Sequence, residues 1–254
     1  MGDKKGQVTI FIILAIVIVV GAVLAYIFLP KFRLTAGLDV ENPNAFIESC
    51  MEEEINLAIE EISSQGGSLS PEHYFSYLNT PIEYLCYTNQ YYIPCVVQQP
   101  LLVNHIKSEL DNALQSTTRF CFNELKENYE KKGYTVQLKS GTLDTEFQAK
   151  SILFNFPNYE LVVQKGETQK YNSFSVIVNN NLYELANTAT SIIEWESTYG
   201  DAETTIYMTY YPNLKVEKKK QSDGTTIYIL TNRDTKNKFQ FASRSVAWPP
   251  GYSI

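Results

Sequence analysis

The chain has 254 residues, 44% of them apolar and 19% charged, with 21 basic and 28 acidic side chains. That composition excludes a disordered tail, a collagen-like chain and a small knot held only by disulfides. Setting aside Asp3, Lys4, Lys5, Lys31 and Arg33 near the start, the rest carries 17 bases against 27 acids, which leaves no basic excess for binding nucleic acid.

Residues 8–29 read VTIFIILAIVIVVGAVLAYIFL, 22 positions without a charge. A helix of that length rises about 33 Å, enough to cross the hydrocarbon of a bilayer. Tyr26 falls near the distal interface, where an aromatic ring with a polar tip is comfortable. A cleaved secretory signal has a shorter apolar region, about 7–15 residues, and ends in a small-residue site. Here the stretch ends in Phe28-Leu29-Pro30-Lys31-Phe32, so residues 1–33 are expected to form a retained anchor. Lys4 and Lys5 flank one end and Lys31 and Arg33 the other, so charge does not orient it. The cysteines do. Cys50, Cys86, Cys95 and Cys121 all follow the anchor and none forms a CxxC pair. An acidic region with an even number of thiols fits an oxidising outer face. The expected topology is a single pass through the cell membrane, with the N-terminus inside and the C-terminal domain outside. Gly21 and Ala25 add one small-xxx-small pair for helix contact in the membrane.

Lys4-Lys5-Gly6-Gln7-Val8-Thr9, followed at once by the apolar run, resembles the class III signal peptides of archaeal type IV pilin-like proteins. The resemblance covers about the first 30 residues. It implies cutting on the cytoplasmic side between Gly6 and Gln7, with the apolar helix left attached. Phe11 stands where many pilins carry Glu, which favours an anchored module that does not polymerise. The same opening, joined to a helix running from Glu48-Ser49-Cys50 to Gln65-Gly66-Gly67, resembles anchored surface proteins of DPANN archaea.

Residues 34–41 are expected as a linker. Asn42 then offers an N-cap and Pro43 the first helical position. Ile47, Met51, Ile55, Ala58 and Ile62 recur at helical spacing, with Cys50 on the edge of that stripe and glutamates over the rest. Gln65-Gly66-Gly67 stops the helix. Residues 71–100 are irregular and Tyr-rich. Residues 83–87 and 91–93 read as two short strands around Thr88-Asn89-Gln90, with Pro94 limiting the second to an edge, so that Cys86 stands near Cys95. Residues 101–131 read as a second helix through Ile106, Leu110, Leu114, Cys121 and Leu125, ended by Gly133.

After Gly133 the period shifts towards two, and 134–139, 151–156, 160–164 and 174–178 read as strands. Residues 180–199 return to helical spacing through Leu182, Leu185, Ala186, Ala189, Ile192, Ile193 and Trp195. Strands are expected again at 205–211, 214–219, 225–230 and 238–246, with Ser222-Asp223-Gly224 as a hairpin turn and an extended end at Trp248-Pro249-Pro250-Gly251. The expected fold class is α+β: a transmembrane helix, two disulfide-linked helices, then a mainly antiparallel sheet with one further helix. A boundary near Gly133 divides a helical, Tyr-rich, disulfide-stapled half (42–133) from a β-rich half (134–254).

Four cysteines allow three pairings. Cys50–Cys121 and Cys86–Cys95 are favoured; they close 71 and nine residues, worth about 4 and roughly 2.5 kcal/mol in the chain-entropy picture. A metal site needs a tighter Cys/His set than His73 and His105 provide, and no cofactor is expected. No nucleophile motif, P-loop or dinucleotide fingerprint occurs, Gly66-Gly67-Ser68 reads as a helix stop, and the chain is not expected to be an enzyme. Carboxylate pairs for glycoside chemistry cannot be singled out among 28 acids. Asp201-Ala202-Glu203 falls short of a calcium loop and reads as a solvated turn. Lys218-Lys219-Lys220 reads as a solubilising edge strand.

The 18 tyrosines are the other feature. Tyr84, Tyr87, Tyr91 and Tyr92, with Tyr210 and Tyr211, offer flat apolar area tipped by hydroxyls for sugars or a protein partner. Ordinary half-buried strand tyrosines are the competing reading. The sequence thus leads to a membrane-anchored surface protein of structural or interaction type, a pilin-like filament subunit in one version. The alternative is an anchored adhesin or glycan-binding module that does not polymerise, and an anchored envelope hydrolase is disfavoured. Expected partners are membrane lipid and other surface proteins or itself, with no nucleic acid.

Overall fold

The helix after Asn42 forms as its capping residues dictate. Asn42 is extended, its Oδ1 accepts the backbone N–H of Ala45 at 3.2 Å, and Pro43 sits in the first turn of α1 (Pro43–Ser64). Gly66 and Gly67 end it in left-handed backbone, with Gly67 N bonded to Ile62 O at 2.9 Å. This computed structural model describes Val19 and residues 42–246. The predicted anchor, the linker, Gly6 and Gln7 and the Trp248 end therefore lie outside the described residues, Val19 apart. Among the described residues no helix is long and apolar enough to cross a membrane.

After β1 (Tyr74–Tyr77), β2 (Thr80–Tyr87) and the two-residue β3 (Val96–Val97) comes the long α2 (Leu102–Lys131). The predicted stripe of α1 is buried at Ile47, Met51, Ile55, Ala58 and Ile62, and it meets Ile106, Leu110, Leu114, Cys121 and Leu125 of α2. Cys50 and Cys121 are bonded across this contact, 71 residues apart. Cys86 and Cys95 form the second disulfide, and all four cysteines are paired.

Beyond α2 run β4 (Thr135–Lys139), β5 (Asp144–Phe147), β6 (Ser151–Asn155), β7 (Glu160–Lys165), β8 (Glu167–Tyr171) and β9 (Ser175–Asn179). They make two antiparallel three-stranded sheets, β4-β7-β8 and β5-β6-β9. Phe122 of α2 stacks on Tyr159 at 3.8 Å and meets Phe156 and Phe174 edge-on, which fastens both sheets to the helix. Then follow α3 (Leu182–Tyr199), α4 (Thr205–Tyr210), β10 (Leu214–Lys220), β11 (Thr225–Asn232) and β12 (Lys238–Arg244).

The largest sheet has the order β1-β2-β12-β11-β10, with β3 also on β2. It is antiparallel except where β12 runs parallel to β2. The architecture is α+β with mainly antiparallel sheets and two disulfides. Strands from both sides of Gly133 share this sheet, and the described residues from 42 onward belong to one compact unit. The sheet is therefore shared across the expected boundary at Gly133.

Several local expectations are corrected. Residues 91–93 are turns, not a strand: Tyr92 has φ +68°, and β2 pairs instead with Val96 and Val97. Residues 205–210 are helical, because the Glu203 carboxylate accepts Thr205 N at 2.9 Å and Tyr207 hydrogen-bonds Ser191 of α3 at 2.8 Å. On α3 the buried face runs through Glu196, 2% exposed, while Trp195 faces outward. The reason is angular: position 196 lies three and four residues beyond Ile193 and Ile192, and its carboxyl group is accommodated by buried donors.

Candidate functional site

A concavity opens where α3 begins, where α4 ends and where β11 turns into β12. Its volume is about 1050 Å3, just above the range of ordinary ligand sites, about 300–1,000 Å3. From α3 it takes Asn181, Tyr183, Glu184, Asn187 and Ser191. The α4 exit contributes Tyr207, Tyr210, Tyr211 and Asn213, and the β11–β12 turn contributes Asn232, Asp234 and Thr235.

Hydrogen bonds fix these walls to one another. Thr235 Oγ1 donates to Asn181 Oδ1 at 2.8 Å, and Asn181 Nδ2 donates to Glu184 at 2.6 Å. Asn213 Nδ2 donates to Asp234 Oδ2 at 2.6 Å, so α4's exit is tied to the turn. Asn232 Oδ1 accepts the backbone N–H groups of Asp234 and Thr235, which shapes the turn itself. The ring of Tyr183 stacks on Phe147 at 6.2 Å. Tyr210 and Tyr211 are 76% and 61% exposed, so their rings stand open at the rim. Of the lining residues one is a cation, Lys150, against two carboxylates, Glu184 and Asp234.

The four tyrosines singled out near the second disulfide do not make one open surface. Tyr84 is buried, its hydroxyl 2.8 Å from Thr225 Oγ1 and its ring against His73 and Tyr87. Tyr87 is half-buried, and Tyr91 and Tyr92 face solvent. Arg244 lies over the rings of Tyr87 and Tyr91 at 5.9 and 5.7 Å, a cation–π clamp on the disulfide loop. Burial raises the Tyr84 hydroxyl above its ordinary value.

Two polar clusters escaped the sequence. The first joins Ser68, Glu83 and His105. Ser68 Oγ donates to Glu83 and lies 2.7 Å from His105 Nε2, while Glu109 accepts Leu69 N at 2.9 Å. A hydroxyl has one proton; with that proton on Glu83, His105 must donate to Ser68. A nucleophilic serine needs the reverse, an imidazole that takes its proton and an acid behind the imidazole. Ser68 is also buried. The cluster therefore pins the Gly66-Gly67 turn to α2, and burial raises the Glu83 carboxyl. Residues 15 and 37 apart in sequence left no spacing signal for it.

The second cluster surrounds Glu196. Tyr228 and Ser243 hydroxyls and Ala202 N–H all donate to its carboxyl, and burial raises its proton affinity. The same burial, with the carboxylate beside it, pushes the Tyr228 hydroxyl up strongly. Asp201 goes the other way: burial opposes, yet Lys218 and Lys220 together hold its carboxyl below the usual range. The 201–203 turn thus meets lysines. Among the described residues no group of three or more His, Cys, Asp or Glu side chains is placed to hold a metal ion.

No protein-family model matches the chain, and it has no significant match among curated proteins or solved structures.

Proposed function

We propose that this chain is a membrane-anchored cell-surface protein whose outer domain acts by contact rather than by catalysis. The observation that carries the reading is the pairing of all four cysteines into two disulfides. Paired thiols persist in oxidising surroundings. The uncharged run over residues 8–29 supplies the tether, and the acidic remainder suits a displayed domain. Membrane lipid, other surface proteins and further copies of the chain are the proposed partners. Phe11 and the open cleft favour the module that does not polymerise over a filament subunit cut between Gly6 and Gln7. Fractionation with alkaline extraction, followed by protease treatment of intact cells, tests this. The protein is expected in the membrane pellet with its outer domain digested. Recovery in the aqueous supernatant, or protection from external protease, overturns it.

A further inference from the structure

We propose that the cleft between α3, α4 and the β11–β12 turn binds a neutral oligosaccharide. This deepens the contact role proposed above, and rests on it only for where the domain is displayed.

The lining dictates the ligand class. Asn181 is buried and bonded through both amide atoms, but beside the bonds that fix the walls Asn187 and Asn213 keep an acceptor oxygen and Asn232 a donor amide. Vicinal sugar hydroxyls, which donate and accept at once, match that lining. The aliphatic side chains at the cleft, Leu185 and Leu214, are themselves buried. The apolar surface left open is at the rings of Tyr210 and Tyr211 and at Pro212 between them and Asn213. Flat rings receive the C–H faces of pyranoses, whereas apolar peptide side chains need recessed pockets. Phosphate- or carboxylate-bearing ligands meet one lysine and two acids in the cleft and a net charge of −7 on the chain. The walls are also bonded to one another before any ligand arrives, through Asn181–Thr235, Asn213–Asp234 and Ser191–Tyr207. A fixed site loses less conformational freedom on binding, which suits the weak polar contacts of a sugar.

The test uses the full chain in lipid nanodiscs, free of sugar-headed detergent, titrated with tetrasaccharides of glucose, N-acetylglucosamine, mannose and galactose. Polygalacturonate and an unstructured peptide serve as comparators. At least one neutral tetrasaccharide is expected to saturate and to perturb tyrosine fluorescence. Tyr210→Ala/Tyr211→Ala should weaken it at least tenfold, and Tyr210→Phe/Tyr211→Phe should keep most of the affinity, because the ring face survives. Both side chains are exposed, so the fold should tolerate either change, checked by an unchanged circular dichroism spectrum. Saturation by none of the four sugars, binding by polygalacturonate or peptide alone, or sugar binding unmoved in the alanine double variant overturns the proposal. Because the preparation is already membrane-inserted, such a failure leaves the anchored reading standing.

Discussion

Replacing Glu196 separates the roles of shape, hydrogen bonding and charge where α3 packs on β11 and β12 of the largest sheet. Glu196→Leu keeps a similar volume but strands three donors: the Tyr228 hydroxyl, the Ser243 hydroxyl and Ala202 N–H. Each of these residues is at most 2% exposed, so water cannot replace the carboxyl without opening the core. An unsatisfied buried donor costs about 1–3 kcal/mol. With some relaxation the variant should lose about 3–6 kcal/mol, a fall of roughly 10–20 °C in melting temperature for a unit of this size. Glu196→Gln keeps one oxygen for Tyr228 and Ala202, and Ser243 can turn its hydroxyl to accept from the new amide. It should cost only about 1 kcal/mol.

The pH dependence has a definite sign. Burial places the folded carboxyl above the ordinary glutamic value of 4.5. The folded state then keeps a proton that the unfolded chain has already released. Stability from this group is full below the unfolded value and is lost as pH rises through the folded one. The Gln variant has no such proton. The advantage of the natural chain over Glu196→Gln should therefore shrink as pH rises above 4.5. Other shifted acids, Glu83 among them, are common to both proteins and cancel in the difference. Thermal unfolding followed by near-ultraviolet circular dichroism reads it. Parallel melting curves across that range would refute the argument, since they would put Glu196 at its ordinary value.

The remaining predictions concern cross-links and close backbone approach. Cys50→Ala/Cys121→Ala should lose about 4 kcal/mol and Cys86→Ala/Cys95→Ala roughly 2.5, the order following the lengths of chain they close. Urea titrations showing the reverse order would remove the chain-entropy account. Gly141→Ala places a Cβ 2.1 Å from Pro157 O and 2.5 Å from Tyr159 N, and should cost about 2–3 kcal/mol through forced displacement of that loop. Gly166→Ala is its control: it meets nothing within 4 Å and pays only for a φ of +83°, roughly 1 kcal/mol. Equal urea midpoints for the two glycine variants would contradict the steric argument.

Much of the fold was legible because its long elements carry strong periods. The stripe from Ile47 to Ile62 and the run from Ile106 to Leu125 leave one helical solution each, and both cysteines on those faces followed from it. Ser222-Asp223-Gly224 specified the β10–β11 turn, with Gly224 at φ +88° and Asp223 bonded to Thr225. Short elements were not legible. Asp144–Phe147 and Glu167–Tyr171 are strands through pairing with β6 and β7, not through composition. The Thr205–Tyr210 run is β-branched and aromatic, yet its tie to Ser191 and the Glu203 contact override propensity. The cleft was half visible: Tyr210 and Tyr211 stood out as aromatics, but their asparagine neighbours come from three separate elements. Glu196 was hidden because a charged residue interrupts an apolar stripe, and its two hydroxyl donors lie 32 and 47 residues away.

Thiol trapping of the full chain in its own cells probes the central claim most directly. Cells quenched in acid are treated with a maleimide-polyethylene glycol, with and without prior reduction, and resolved by size. An outward-facing domain predicts no mass shift without reduction and four adducts after it, one for each cysteine. Four adducts on the unreduced chain would contradict the account, because they would put these thiols in a reducing compartment.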